Sequence, residues 1–268
     1  MELDDGYILF NKELIGSGRH SRVFLGQSKI KQKVVFKLFK DHRAYERELS
    51  ILTKLHNKCS VPEILSTGTI DVMKYVVLPK YTITLQNFVK NNGVLSLDEG
   101  LYLLYELVIC LEEIHAMNIV HRDIKPLNIM LHDKELIIID FSLATTTEKK
   151  TVSCVGSPMF MSLNAHYKKI KKYTYKDDLE SAYYTFLYCI NGELPWSNIP
   201  DTMSKDDTLE TILAQKKEHK RQYIVSKNNH EDILLEIEEL FEKHGTTLEY
   251  EQKNFYKKFD LKNSHSIF

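Results

Sequence analysis

Two acidic side chains and one amide near the middle of the chain are the residues best suited to do chemistry. Residues 121–128 read H-R-D-I-K-P-L-N, and Asp140 follows an apolar segment at 136–139. A polar turn precedes that segment, and this pattern predicts a tight hairpin. The hairpin would bring Asp123, Asn128 and Asp140 together, so that their oxygens could bind one or two metal ions and orient a hydroxyl group.

The spacing H-R-D-x-K-x-x-N resembles the catalytic loop of eukaryotic protein kinases, in which each fixed position has its own task in phosphoryl transfer. The resemblance implies that Asp123 accepts the proton of the substrate hydroxyl and that Lys125 neutralises charge on the transferred group. Asn128 and Asp140 would bind Mg²⁺. Lysine at position 125 is typical of serine/threonine kinases. ATP and Mg²⁺ are therefore the expected cofactors.

A glycine-rich segment near the N-terminus could hold phosphate groups. Residues 14–23 read L-I-G-S-G-R-H-S-R-V and lie between two segments rich in strand-forming residues. Backbone N–H groups in such a loop can bind phosphate oxygens. Kinases usually have a third glycine where this chain has Ser21, and an aromatic residue where it has His20. Neither change removes a ligand, so the resemblance still implies nucleotide binding.

Lys37 lies in an apolar segment that predicts a buried strand. One interpretation is a surface lysine whose head group reaches solvent. The other is a buried ammonium, which would need an anionic partner. Glu48 is the predicted partner, because it shares the inner face of an amphipathic helix with Leu52, and the kinase resemblance also favours it over Glu46. The pair would orient Lys37 toward the α- and β-phosphates of ATP.

A second buried strand, at residues 75–78, leads into a predicted hinge at residues 79–81. Pro79 has no N–H group, but its carbonyl could accept from the adenine amino group, and the Tyr81 N–H could donate to the ring. Val35 replaces the alanine that usually touches adenine, which predicts tighter packing. The kinase resemblance implies nucleotide contacts at Ile15, Gly16, Gly18, Val23, Val35, Lys37, Leu78, Pro79, Tyr81 and Met130.

The segment after Asp140 resembles one kinase group in particular. Most kinases end this segment with A-P-E, whereas residues 162–164 read S-L-N. The chain also reads D-D-L-E-S at 177–181 and G-E-L-P-W at 192–196. These motifs together are similar to the casein kinase I superfamily, which includes the vaccinia-related kinases. The resemblance covers residues from about 6 to about 259.

This resemblance implies an α+β, bilobal protein kinase fold in a single domain, residues 1–268. A small β-rich N-lobe with one helix, the C-helix, would span about 1–78. The hinge would connect it to a larger, mainly helical C-lobe at about 82–268. Helical patterns support the C-lobe, with a short helix at 85–92 and a long one that begins at a capping box and ends near Ala116.

The composition of the chain indicates its cellular compartment and the kinds of partner that it binds. The chain has 268 residues, 43% of them hydrophobic, and a net charge of −1, which does not favour nucleic acid as a partner. The N-terminus is unlike a signal peptide, and no apolar run is long enough to cross a bilayer. The four cysteines have no metal-site spacing, which is typical of free thiols in a reducing compartment. We expect a soluble intracellular monomer, cytoplasmic and/or nuclear, that binds neither nucleic acid nor membrane.

Two basic clusters indicate a substrate preference. One follows the S-L-N segment at 168–176, and the other lies on a later helix at 216–221. Such charge runs are often no more than solvated surface. The casein kinase I resemblance, however, implies a preference for acidic or phosphorylated substrates. We therefore predict that an anionic residue upstream of the target serine or threonine binds to Lys171, Lys172, Lys176 and Lys220.

Three functions are compatible with these motifs. The predicted one is an active serine/threonine kinase that acts on proteins. A pseudokinase would usually have lost Lys37, Asp123, Asn128 or Asp140, all of which are present. A small-molecule kinase of the aminoglycoside-phosphotransferase type would resemble H-G-D rather than H-R-D, and would lack a peptide-docking segment like residues 156–164.

Overall fold

An antiparallel sheet of five strands forms the N-terminal part of the computed structural model. The model describes residues 2–3, 6–57, 60–132, 135–146, 155–167, 172–200 and 202–219. In chain order the strands are β1 (Ile8–Ser17), β2 (Ser21–Gln27), β3 (Lys33–Phe39), β4 (Ser66–Ile70) and β5 (Met73–Pro79). They lie side by side in the order β1-β2-β3-β5-β4.

Strands β3 and β5 lie next to each other inside the sheet, as their β-branched and aromatic residues favour. Phe36 pairs with Val77, and Lys37 pairs with Val76. Because side chains alternate along a strand, these two pairs point to opposite faces. Phe36 and Val77 belong to an outer apolar cluster, whereas Val76 belongs to the main core. Lys37 is therefore buried on the core side.

Helix α1 (His42–Lys54) contributes to that core and contains the predicted segment at 45–52. Its N-terminus is capped by Asp41, whose carboxylate accepts from the Arg43 N–H at 2.9 Å. The buried residues recur at helical spacing, at Ala44, Tyr45, Glu48, Ile51 and Leu52. Glu48 thus lies within the buried stripe, as predicted.

The C-terminal part of the described chain is mainly helical. Its helices are α2 (Leu85–Asn92), α3 (Leu97–His115), α4 (Leu163–His166), α5 (Tyr175–Asn191) and α6 (Lys205–His219). Helix α3 begins at the predicted capping box, in which Ser96 and Glu99 each accept from the other's backbone N–H. Helices α3 and α5 approach closely at Gly100, where an added Cβ would lie 2.3 Å from Ile190.

Short strands surround the motif at residues 121–128. Strands β6 (Ile83–Thr84), β8 (Ile129–His132) and β9 (Glu135–Ile138) form one small sheet, and β7 (Ile119–Val120) pairs with β10 (Thr145–Thr146). Strands β8 and β9 are antiparallel neighbours, so the predicted hairpin is confirmed. They bring the end of the motif close to Asp140.

The α+β, bilobal architecture expected from the sequence is confirmed: a β-rich N-lobe with one helix precedes a helical lobe. The exact lobe boundaries remain a prediction. The part of the predicted C-lobe that follows His219 lies outside the described residues. Cys110 and Cys189 are buried free thiols, as expected, whereas Cys59 and Cys154 lie outside the described part. Within the described chain, no helix is both long and apolar enough to cross a bilayer.

Candidate active site

A cleft of about 300 Å³ connects the glycine-rich segment with the central motif. Its walls are formed by Gly18, Arg19, His20, Ser21, Asp123, Lys125, Leu127, Asn128, Asp140, Ser142, Leu143, Val155, Gly156 and Ser157. The fold thus brings the two predicted metal-binding side chains, the predicted base and part of the predicted phosphate-binding loop into one space.

Three donors hold the carboxylate of Asp123, whose exposed fraction is 8%. The Ser157 N–H donates to Oδ1 at 2.9 Å, the Lys125 ammonium donates to Oδ2 at 2.8 Å, and the Asn128 amide donates to Oδ2 at 3.0 Å. Lys125 also donates to the Ser157 hydroxyl at 2.7 Å. The carboxylate is therefore fixed in orientation while it still lines the cleft.

Lys37 binds two carboxylates at once. Its ammonium lies 2.7 and 2.6 Å from the Glu48 oxygens and 2.8 Å from Asp140 Oδ1. Burial opposes the charge, but Asp140 and Glu48 outweigh it and raise the pKa of Lys37. The ion pair predicted between Lys37 and Glu48 is formed, and the interpretation of Lys37 as a surface lysine is wrong.

The two carboxylates respond differently to the shared ammonium. Burial raises the pKa of Glu48 to about 7, against the attraction of Lys37. Burial also acts to raise the pKa of Asp140, but Lys37 outweighs it and holds that pKa well below its usual range. Other groups add to the difference, since the charge of Asp140 raises the pKa of Glu48, whereas the hydrogen bond from Ser142 lowers the pKa of Asp140.

Asn128 and Asp140 have the oxygens that a hard cation requires. The hydrogen bonds described for the Asn128 side chain use its NH₂ group, which donates to the Asp123 backbone carbonyl and carboxylate. Those described for Asp140 use Oδ1, which binds Lys37 and the Ser142 N–H. One amide oxygen and one carboxylate oxygen thus remain beside the cleft, a donor set that fits Mg²⁺.

A buried carboxylate positions the loop before Asp123. Asp178, on α5, accepts from the His121 N–H at 2.7 Å and from the Arg122 N–H at 2.8 Å. Burial would raise the pKa of Asp178. The hydrogen bond with His115 and the charge of His115 outweigh burial, so that the pKa of Asp178 is lowered. A charged carboxylate with these donors stabilises Arg122 at a backbone φ of 70°.

Asp140 also has a left-handed backbone, with φ at 66°. Ser142, which stands where kinases usually have glycine, is not among the residues with positive φ. A serine in a left-handed conformation would cost about 1–2 kcal/mol. In this structure serine does not carry that cost.

Most of the predicted nucleotide contacts lie on strands, whereas Tyr81 follows the end of β5. Val35 pairs with Leu78, and Gly16 pairs with Val23. Met130 lies on β8, at 9% exposure, and Pro79 ends β5. Ile15 is half exposed, and the Tyr81 carbonyl accepts a hydrogen bond from Lys80. The contact of these residues with a nucleotide remains a prediction.

The predicted anion-binding lysines are only partly described. Lys172 and Lys176 are exposed, whereas Lys171 and Lys220 lie outside the described residues. Lys216 differs from the expectation of a basic surface on the later helix, because its side chain has no exposed area. The prediction of a surface cluster is therefore wrong for Lys216.

Sequence reasoning missed two residues next to the site. Ser157 was assigned only to a docking segment, yet it binds both Asp123 and Lys125. Lys216 was assigned to a charged surface, yet it donates to the carbonyls of Pro158 and Met161. A serine that follows a glycine has no local pattern that predicts contact with Asp123. A lysine within a run of charged residues has no local pattern that predicts burial.

The protein kinase domain model matches residues 9–255. A candidate casein kinase I of Caenorhabditis elegans is 25% identical over 70% of this chain and 61% of the relative. A candidate serine/threonine-protein kinase of Clostridium perfringens is 27% identical over 72% of this chain and 30% of the relative. Another, of Acanthamoeba polyphaga mimivirus, is 32% identical over 76% of this chain and 78% of the relative.

These likenesses agree with the site geometry and with the resemblance seen in the sequence. The chain spans less than two thirds of the length of the relatives from Caenorhabditis elegans and Clostridium perfringens. The family model, by contrast, includes the glycine-rich segment, the central motif and the segment that carries Ser157. The chain therefore belongs to the protein kinase domain family and has casein kinase I-like relatives.

Proposed function

We propose that this chain is a serine/threonine protein kinase that transfers the γ-phosphoryl group of ATP in a Mg²⁺-dependent reaction. The observation that carries the proposal is the shared cleft of Asp123, Lys125, Asn128 and Asp140 beside the glycine-rich segment. Each of these side chains has the chemistry that one part of phosphoryl transfer requires. The serine/threonine kinases among the relatives support the same reaction.

In this proposal some residues act on the substrate hydroxyl and others bind the nucleotide. Asp123 accepts the proton of the substrate hydroxyl, and Lys125 neutralises charge on the transferred group. Lys37, held by Glu48, binds phosphate oxygens. Asn128 and Asp140 hold Mg²⁺, which supplies further neutralisation of the phosphate oxygens when it is bound.

The test is transfer of label from γ-labelled ATP to casein, with Mg²⁺, by the wild type and by Asp123→Asn. We expect labelled phosphoserine or phosphothreonine with the wild type and a loss of most label with the variant. A pseudokinase would bind casein without labelling it. A small-molecule kinase would label an aminoglycoside and not casein. Either result would contradict the proposal.

Acidic or phosphorylated proteins are the substrate class that we propose for this kinase. Lys172 and Lys176 are exposed, and Lys176 lies in the first turn of α5. Lysine can bind phosphate as a point charge, and such attraction weakens when salt screens it over about 8 Å. The casein kinase I-like relative supports this preference by analogy.

A phosphoserine-primed peptide and its alanine counterpart test the preference. We expect kcat/KM to favour the primed peptide in the wild type, and to favour it less in Lys176→Glu/Lys220→Glu. Lys90→Glu, which changes an exposed lysine on α2, serves as the control. An equal preference for the primed peptide in all three proteins would show that the lysines are only solvated surface.

A further inference from the structure

Lys216, on α6, is a lysine whose side chain has no exposed area. Its ammonium donates to the Pro158 carbonyl at 2.9 Å and to the Met161 carbonyl at 2.6 Å, and it lies 3.1 Å from His166 Nε2. An ammonium group has three N–H donors, and here each one has a partner. All three partners belong to the segment that follows Ser157.

Two aromatic rings favour the positive charge of Lys216, whereas burial opposes it. The ring centroids of Tyr184 and Trp196 lie 4.6 and 5.3 Å from its ammonium. Burial lowers the pKa of Lys216 to about 7, and the negative charge of Glu180 offsets only part of this effect. An apolar side chain would fill the same space without the cost of burying a charge. The three hydrogen bonds and the contacts with the two rings are therefore what a lysine adds at this position.

The turn that Lys216 binds also contacts the catalytic loop. The N–H groups of Phe160 and Met161 both donate to the Ser157 carbonyl at 2.9 Å. The Ser157 N–H donates to Asp123, and its hydroxyl accepts from Lys125. A continuous set of hydrogen bonds thus connects Lys216 to the proposed base through one turn of the chain.

We propose that Lys216 is a positioning residue, which holds the turn at 157–161 so that Ser157 orients Asp123 for transfer to a protein hydroxyl. The proposal rests on the kinase activity proposed above. It also fits the S-L-N sequence that follows, because Ser162 donates to Asp177 on α5 at 2.6 Å. Helix α5 thus anchors the end of the segment, and α6 anchors its middle through Lys216.

Two substitutions separate hydrogen bonding from packing at this position. Lys216→Met nearly fills the space but donates no hydrogen bond, whereas Lys216→Gln is shorter and retains two N–H donors. We expect kcat/KM for a peptide substrate to fall about ten-fold or more in Lys216→Met, and less in Lys216→Gln. The KM for ATP should stay within about two-fold, because Lys37 is held by Glu48 and Asp140 and not by the turn at 157–161.

The control is Lys205→Met, which changes an exposed lysine on the same helix and should match the wild type. If Lys216 served only to pack, Lys216→Met would retain more activity than Lys216→Gln, and that order would overturn the proposal. So would an equal rise in the KM values for ATP and for peptide.

If Lys216→Met does not fold, the comparison is made between Lys216→Gln and Lys205→Met. A wild type that phosphorylates no peptide would overturn the kinase proposal itself, whereas an active Lys216→Gln that matches Lys205→Met would reject only the positioning role.

Discussion

Asp123 is the residue whose charge can be removed with the least change in volume. In Asp123→Asn we expect kcat to fall about 100-fold or more, because loss of such electrostatic stabilisation typically costs about 3–4 kcal/mol. The melting temperature should change little, since the amide oxygen can still accept from the Ser157 N–H. Turnover and melting temperature are measured on the same preparation. Near-normal turnover would reject Asp123 as the base.

Glu48 and its neighbour Glu46 provide a matched pair on one helix. The side chain of Glu48 is 2% exposed and binds Lys37, whereas that of Glu46 is 64% exposed and lies 3.6 Å from His42. We expect Glu48→Gln to lower kcat/KM for ATP by about ten-fold or more, and Glu46→Gln to stay within about two-fold of the wild type. A larger loss in Glu46→Gln would show that the ion pair does not orient Lys37.

The residues predicted from spacing and those missed differ in one physical respect. Lys37 and Glu48 carry signals in their local pattern, because a buried charge in an apolar strand needs a partner and Glu48 lies on the inner face of an amphipathic helix. Lys216 lies in a run of charged residues that normally indicates solvent. Its burial depends on the packing of α6 near α4, a tertiary contact that the sequence of α6 does not express.

At the scale of elements, α3 leads the chain into the catalytic loop and begins at a capping box. Ser96→Ala removes the side chain that accepts from the Glu99 N–H, which should destabilise the fold by about 1 kcal/mol. Ser50→Ala, at an exposed position within α1, is the control and should be nearly neutral. Thermal unfolding of both variants gives the comparison. Equal melting temperatures would mean that the box contributes no stability.

Most elements that position the site were predictable from periodicity and capping signals. The predicted helix at 85–92 matches α2, and the glycine that follows it ends the helix as expected. The pairing of β7 with β10 was not predicted, because strands of two residues have no period to recognise. This pair closes the loop that contains Asp123, so its geometry depends on long-range contacts rather than on local pattern.

At the scale of the whole molecule, Lys216 makes stability depend on pH. Burial lowers its pKa to about 7, compared with 10.5 for an ordinary lysine. Between these values the unfolded chain binds more protons than the folded one, so the free energy of unfolding rises with pH. We expect the melting temperature of the wild type, relative to Lys216→Met, to increase from about pH 7 to about pH 9.

Most other groups that titrate in this range contribute equally to the melting temperatures of the wild type and Lys216→Met, so their contributions cancel in the difference. A constant or decreasing difference would contradict the lowered pKa. The contacts of Lys216 persist in both forms, because a neutral amine still donates to two carbonyls and can accept from His166 Nε2. Burial lowers the pKa of His166 to about 3, so that ring stays neutral throughout.

The hydrogen bond between Ser157 and Asp123 bears on how much ATP would be hydrolysed without transfer to a protein. The segment expected to seat a protein substrate is the same segment that holds Asp123 in place. When that segment moves away, Asp123 loses one of its three donors, and water becomes a less well-aligned acceptor for the phosphoryl group. If the proposed kinase activity holds, we expect little hydrolysis of ATP in conformations that could not accept a protein.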